Sequence, residues 1–153
     1  MKPRVIICAL AVLASSATVT AQEKKISRKD LPAAVEKTLS EHSDGATIKG
    51  FSTEVEDGKK MYEVQMTVSG HSRDLSIDSQ GRLLEIEDEV AFASLSAEVQ
   101  AGLQKAAGTA TLGKVEALTK GGKVVAYESV VTSGGKRREI QVGPDGRKLA
   151  HPE

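Results

Sequence analysis

The sequence has no tryptophan, two phenylalanines and two tyrosines, so aromatics make up 3% of its 153 residues. A core built this way draws on Leu, Val, Ile and Ala, and there is no set of rings on which nucleic-acid bases would stack. Cysteine occurs once, at Cys8, which excludes an intrachain disulfide and a thiolate metal cluster. Histidine occurs only at His42, His71 and His151, and no serine stands in a G-x-S-x-G elbow. Neither sign of charge prevails, with 21 Lys+Arg against 21 Asp+Glu. Without a basic excess, nucleic acid is not an expected partner. Beyond the first residues no apolar run is long enough to span a bilayer.

What is present begins with an export pattern. Lys2 and Arg4 precede an apolar run over residues 5–13, and Val19-Thr20-Ala21 supplies small residues before Gln22. Residues 1–21 therefore read as a secretory signal peptide cleaved near Ala21, and the expected location is periplasmic or secreted. The apolar run continues past Cys8 with no small-residue box before it, which argues against lipidation there. Cleavage removes Lys2, Arg4 and no acid, leaving a slight acidic excess and no cysteine. An exported domain of this size then relies on its apolar core alone.

Residues 62–81 organise the rest of the chain. Tyr62, Val64, Met66 and Val68 alternate with Glu63, Gln65, Thr67 and Ser69, and Leu75 and Ile77 alternate with Asp74, Ser76 and Asp78. A period of two with Gly70 between the runs predicts an antiparallel hairpin with one buried and one wet face. Upstream, residues 22–29 read as a frayed lead-in. Asp30 is placed as the cap of a helix with Pro32 in its first turn and Leu31, Val35 and Leu39 on one stripe. Ser43-Asp44-Gly45 ends that helix. Residues 46–55 read as a strand with a bulge, and Asp57-Gly58 as a hairpin turn. Residues 82–88 read as a fourth strand, leading into residues 89–93.

The same order recurs 64 residues later, and 65 later after one insertion. Leu31, Val35 and Leu39 meet Leu95, Val99 and Leu103, and Asp30 meets Ser94. Tyr62-Glu63 meets Tyr127-Glu128, and Arg73, expected to be exposed, meets Arg138. Leu75 and Ile77 meet Ile140 and Val142, and Gly81-Arg82 meets Gly146-Arg147. The expected fold is therefore α+β, with two tandem α-β-β-β(-β) repeats over about 28–90 and 92–151 in a single domain spanning 22–153. The fourth strand is clear only in the first repeat. Both repeats are expected to share one apolar layer beneath helices on a single sheet face.

These residues resemble the PepSY-like group of exported bacterial domains, related to the beta-lactamase-inhibitor-like fold. The resemblance lies in Leu31-Pro32 with Val35, in Tyr62-Glu63-Val64, and in the Leu75, Ile77, Asp78 and Gly81 close. In the second half it lies in Leu95, Val99, Tyr127, Glu128 and Pro144-Asp145-Gly146. Ser96 departs from the pattern where Pro32 stands, and Gly143 where Asp78 stands. The resemblance implies helices backing an antiparallel sheet, no catalytic residues, and peptidase inhibition or periplasmic ligand binding as roles.

The remaining clusters each have a plain reading. Glu41-His42-Ser43-Asp44 ends a helix, where a histidine complements the dipole. His71 falls in a turn and His151 in a mobile tail. Glu85, Glu87, Asp88 and Glu89 lack the regular oxygen spacing of a calcium loop and read as a solvated strand edge. Lys136-Arg137-Arg138 reads as a soluble hairpin tip, and Asp78-Ser79-Gln80-Gly81 as a β-turn. No nucleophile–base pair is visible, so an enzyme is not expected, and neither a metal ligand set nor a cofactor. The expectation is an exported non-enzymatic module that binds a protein or peptide through its open sheet face, with an inhibitor role as the narrower version. That face comprises Glu63, Gln65, Asp74, Ser76, Glu128, Val130, Glu139 and Gln141; a free sheet edge is the other possible surface. The alternative is a periplasmic small-molecule or metal-binding envelope protein. It would have a pocket between helices and sheet, or a cluster at His42 or over residues 85–89.

Overall fold

A computed structural model describes residues 23–56 and 58–153. The signal-peptide reading of residues 1–21, with Cys8, and Asp57 of the first hairpin turn lie outside the described residues. The fold is α+β: the described residues form two α-helices and one eight-stranded antiparallel sheet whose strand order follows the chain. The strands are β1 Lys24–Ile26, β2 Thr47–Glu56, β3 Lys59–Val68, β4 His71–Asp78, β5 Leu83–Val90, β6 Thr111–Lys120, β7 Lys123–Ser133 and β8 Lys136–Val142. The helices are α1 Ala33–His42 and α2 Ala97–Ala107. Among the described residues no helix is long and apolar enough to cross a membrane.

Alternation in sequence becomes two faces in space. Val64 pairs with Leu75 and Tyr62 with Ile77, and these side chains are buried beneath α1 with Val35 and Leu39. Val115, Val131, Ile140 and Val142 are buried in the same way with Val99 and Leu103 of α2. Ile86 and Val90 lie on one side of β5, and each packs against one of these clusters, so both helices cover the same sheet face. The apolar layer expected to be common is instead two clusters, one under each helix. At the seam, Arg73 on β4 is paired across to Asp88 on β5, with Nε–Oδ1 at 2.5 Å and NH2–Oδ2 at 2.9 Å. Arg73 is thus partly covered and ion-paired rather than freely exposed. Its sequence counterpart Arg138 donates to the Ala106 and Ala107 carbonyls at the end of α2, where a cation complements the helix dipole.

Several local expectations change. Residues 24–26 form an edge strand, Ile26 opposite Phe51, where a frayed lead-in was expected. Asp30 does not cap α1: its carboxylate accepts from the Ser27 N–H at 3.0 Å and Oγ at 2.7 Å, closing a separate turn at Arg28–Asp30. Pro32 is the N-cap of α1. In the second half the cap is Ser96, accepting from the Val99 N–H at 3.3 Å, while Ser94 donates to the Ala91 carbonyl. Residues 83–90 are not an edge. They form a central strand bonded to β4 on one side and β6 on the other. The bulge expected in β2 falls between Ile48 and Gly50.

Each helix sits directly on a turn. Thr38 Oγ1 of α1 donates to the Gly81 carbonyl at 2.5 Å, and a Cβ at Gly81 would lie 2.6 Å from the Ala34 carbonyl oxygen. A Cβ at Gly146 would collide with the Glu98 carbonyl of α2, and one at Gly102 with the Gly146 carbonyl. Both turn glycines have positive φ, 81° and 74°. Backbone conformation and the helix's close approach therefore demand glycine together.

Candidate binding face

The sheet side away from the helices is read from the registers. Ser52 stands opposite Glu63, Glu63 opposite Ser76, and Ser76 opposite Glu85. A second row runs Gly50, Gln65, Asp74, Glu87, Leu118, Ala126 across β2 to β7. A third runs Glu89, Glu116, Glu128, Gln141, and Val130 stands opposite Glu139. Glu63, Gln65, Asp74, Ser76, Glu128, Val130, Glu139 and Gln141 therefore share one face, because the side-chain period of a strand is two. Gln65 and Glu139 are exposed and the other six are partly buried.

Sequence reasoning missed the middle of this face. Glu87, on the strand taken for an edge, and Glu116, with only 8% of its surface exposed, belong to it. Leu118 and Ala126 are buried beside them and give the face an apolar centre. A strand buried on both sides would have shown in the β6 run Val115, Ala117 and Leu118, which departs from alternation.

Electrostatics follow from that burial. Asp74, Glu87 and Glu116 bring carboxylate oxygens within 4.8 Å of one another. Burial, then the neighbouring Glu116 and Glu63 charges, pushes Asp74 up to about 6, against a smaller opposing pull from Lys114. Glu87 rises further, to about 8, through burial first and then through Glu85, Glu116, Glu128 and Asp74. Burial also raises Glu128, although the amide of Gln141 donates to it at 2.7 Å. Lysines answer part of this charge. Lys114 Nζ lies 2.7 Å from Glu116 Oε1 and 2.8 Å from Ser72 Oγ. Lys120 Nζ lies 3.3 Å from Glu85 Oε2 and 3.5 Å from Glu153 Oε2. Glu153 is held further by its N–H donating to Gln141 Oε1 at 2.8 Å, so the segment after His151 is anchored at this face.

Around Lys120 the face dips into a hollow of about 580 Å³ that includes Met61, Glu63, Ser76, Leu84, Glu85 and Glu87. The other clusters weighed from sequence do not join it. His42 ends α1, and His71 is exposed with Nδ1 3.9 Å from Glu89. Asp78 accepts from the Gln80 and Arg82 N–H groups, both at 2.9 Å, and from Arg82 Nε at 2.6 Å, which makes it the anchor of its turn. A groove of about 520 Å³ beside β8 is lined by Ala106, Arg138, Ile140 and Leu149 among others.

No family model and no curated protein matches the chain. Solved structures do match. A BLIP-like protein from Bacteroides fragilis is 18% identical, with a TM-score of 0.58 over 78% of this chain and 83% of that one. A DUF2874 family protein from Bacteroides ovatus is 14% identical, with a TM-score of 0.60 over 78% and 84%. A protein of Bacteroides eggerthii called periplasmic is 12% identical, with a TM-score of 0.63 over 78% and 86%. At these identities the likeness is one of fold, and that fold is the BLIP-like, beta-lactamase-inhibitor-like one.

Proposed function

We propose that this chain is an exported, non-enzymatic module that binds a protein or peptide across the sheet face opposite its helices. The observation that carries the reading is the gathering of Glu63, Gln65, Asp74, Ser76, Glu128, Val130, Glu139 and Gln141 on one face. Both helices pack on the other side, where the apolar clusters lie. The export pattern of residues 1–21 and a fold neighbour called periplasmic support an extracytoplasmic location.

In this reading the module is a single domain of two PepSY-like repeats. Supporting this, Ile26 pairs with Phe51 as Val90 pairs with Val115, each pair displaced by 64 residues. We take the division to lie before β5, a departure from the bounds of about 28–90 and 92–151 expected from sequence, because β5 is then the counterpart of β1 and each half has four strands.

The test is capture from periplasmic extract with immobilised protein, comparing Ser76→Arg on the open face with Lys37→Glu on exposed α1. The expected result is a partner retained by the wild type and by Lys37→Glu and lost by Ser76→Arg. Capture of nothing above background, or capture indifferent to Ser76→Arg, removes the reading.

A second reading, a divalent-cation protein, is favoured by one observation, the proximity of Asp74, Glu87 and Glu116. Calcium normally takes six to eight oxygens, and the Lys114 ammonium already lies against Glu116. Calorimetry with calcium is expected to give no heat beyond dilution, and a stoichiometric binding isotherm would promote this reading over the first.

A further inference from the structure

Overall neutrality conceals a segregation of charge. The chain balances acids against bases, yet the middle of the open face gathers Glu63, Asp74, Glu85, Glu87, Glu89, Glu116 and Glu128 against Lys114 and Lys120, while Lys25, Lys59, Lys123 and Arg137 lie toward its margins. Lys114 and Lys120 are already engaged. Among the described residues, neither Asp74 nor Glu87 makes a hydrogen bond or ion pair, although each lies near the apolar centre of the face. A carboxylate placed there is partly withdrawn from water, and the one cation that acts on Asp74 is Lys114, which already pairs with Glu116.

The chain itself displays what fits. The Lys120 ammonium sits at the hollow between Glu85 and Glu153, in the space that also borders Met61 and Leu84. A long side chain with an apolar stem and a cationic tip matches that lining, since the stem covers apolar surface while the tip meets carboxylates. We propose that the occupant of the open face is a lysine- or arginine-rich segment of a partner protein, whose cationic side chains enter the hollow beside Glu63, Glu85 and Glu87. The inference rests on the proposed binding role and names the chemistry of its partner. Charge complementarity of this kind sets encounter rate and partner choice, and it weakens with salt. The raised proton affinities of Asp74 and Glu87 agree with it, because an arriving cation would return both groups to their ionised form.

The experiment titrates the purified protein with an oligolysine peptide and with a neutral Gly-Ser peptide of equal length, at low and high salt. The proteins are wild type, the face variant Glu85→Gln with Glu87→Gln, and the helix-side control Glu41→Gln with Glu98→Gln. Circular dichroism verifies that each is folded. Oligolysine is expected to bind the wild type and the control alike, and to bind the face variant about tenfold more weakly or worse. The neutral peptide is expected not to bind. Equal losses in the two variants, or equal binding of the two peptides, overturns the inference. If oligolysine does not bind while Ser76→Arg still abolishes extract capture, the face binds a partner that is not basic. The binding reading then stands and this inference falls. If both experiments fail, both readings fall together. Calcium binding to the face without oligolysine binding would reassign these carboxylates to a cation and would also overturn it.

Discussion

Two glycines show how much a single residue decides here. Gly146 has φ of 74° and would drive a Cβ into the Glu98 carbonyl of α2, whereas Gly122 has φ of 75° with nothing within 4 Å. Gly122→Ala therefore meets conformational strain alone and is expected to cost about 1 kcal/mol. Gly146→Ala adds a clash against helix backbone that cannot rotate away, and is expected to cost at least about 2 kcal/mol more. Urea denaturation of the two variants reads the difference directly, and equal midpoints would mean that α2 does not rest on that turn. Asp78 makes the complementary case. Its buried carboxylate serves the Gln80 and Arg82 N–H groups and Arg82 Nε, and these bonds with the Arg82 charge outweigh burial and hold it below the usual carboxylate range. Asp78→Ala removes three hydrogen bonds to a charged acceptor from this turn, and is expected to cost about 1–3 kcal/mol, read as a fall in denaturation midpoint.

At the scale of elements, the separation of the core into two clusters is itself measurable. Leu39 of α1 and Leu103 of α2 are each fully buried, in different clusters. Each Leu→Ala change is expected to cost about 2–5 kcal/mol, and the double variant the sum of the two to within about 0.5 kcal/mol. A larger coupling would restore the single shared layer expected from sequence. The reason that expectation differed is chemical. The matches of Leu31, Val35 and Leu39 with Leu95, Val99 and Leu103 report which residues face inward, but not that the Arg73–Asp88 pair occupies the seam between the halves. The hairpin over residues 62–81 was legible because alternation and Gly70 leave one register that buries Tyr62, Val64 and Leu75 together. That register also made the open face legible in advance. β5 was misread because its run Glu85, Glu87, Asp88 and Glu89 looks solvated, and only its partners β4 and β6 reveal that it is central. Capping was misassigned in both halves for a related reason. Asp30 and Ser94 are good cap types, but each serves a short turn preceding the helix it was given.

For the whole molecule, crowding of acids on one face makes stability depend on pH. Glu87 ordinarily releases its proton near 4.5 and does so here at about 8, while Asp74 moves from 3.8 to about 6. Through that interval these two groups hold more protons in the folded chain than in the unfolded one, so their contribution to stability is fully present below about pH 4 and is lost as the pH rises toward 8. Thermal melts are expected to give a higher Tm near pH 5 than near pH 8. Glu87→Gln, which carries no charge to desolvate, is expected to flatten that slope and to raise Tm at the alkaline end. A Tm that climbs from pH 5 to 8, or a slope unchanged in Glu87→Gln, would contradict the crowding described. The plain strand order has a kinetic consequence too. Every strand pairs only with its neighbours along the chain. The widest closures are those that bracket the helices, Ile26 to Phe51 and Val90 to Val115. Loop-closure entropy grows only with the logarithm of such spans. Folding can then advance as a zipper from the tight turns outward, hairpin by hairpin, with no strand waiting for a distant partner.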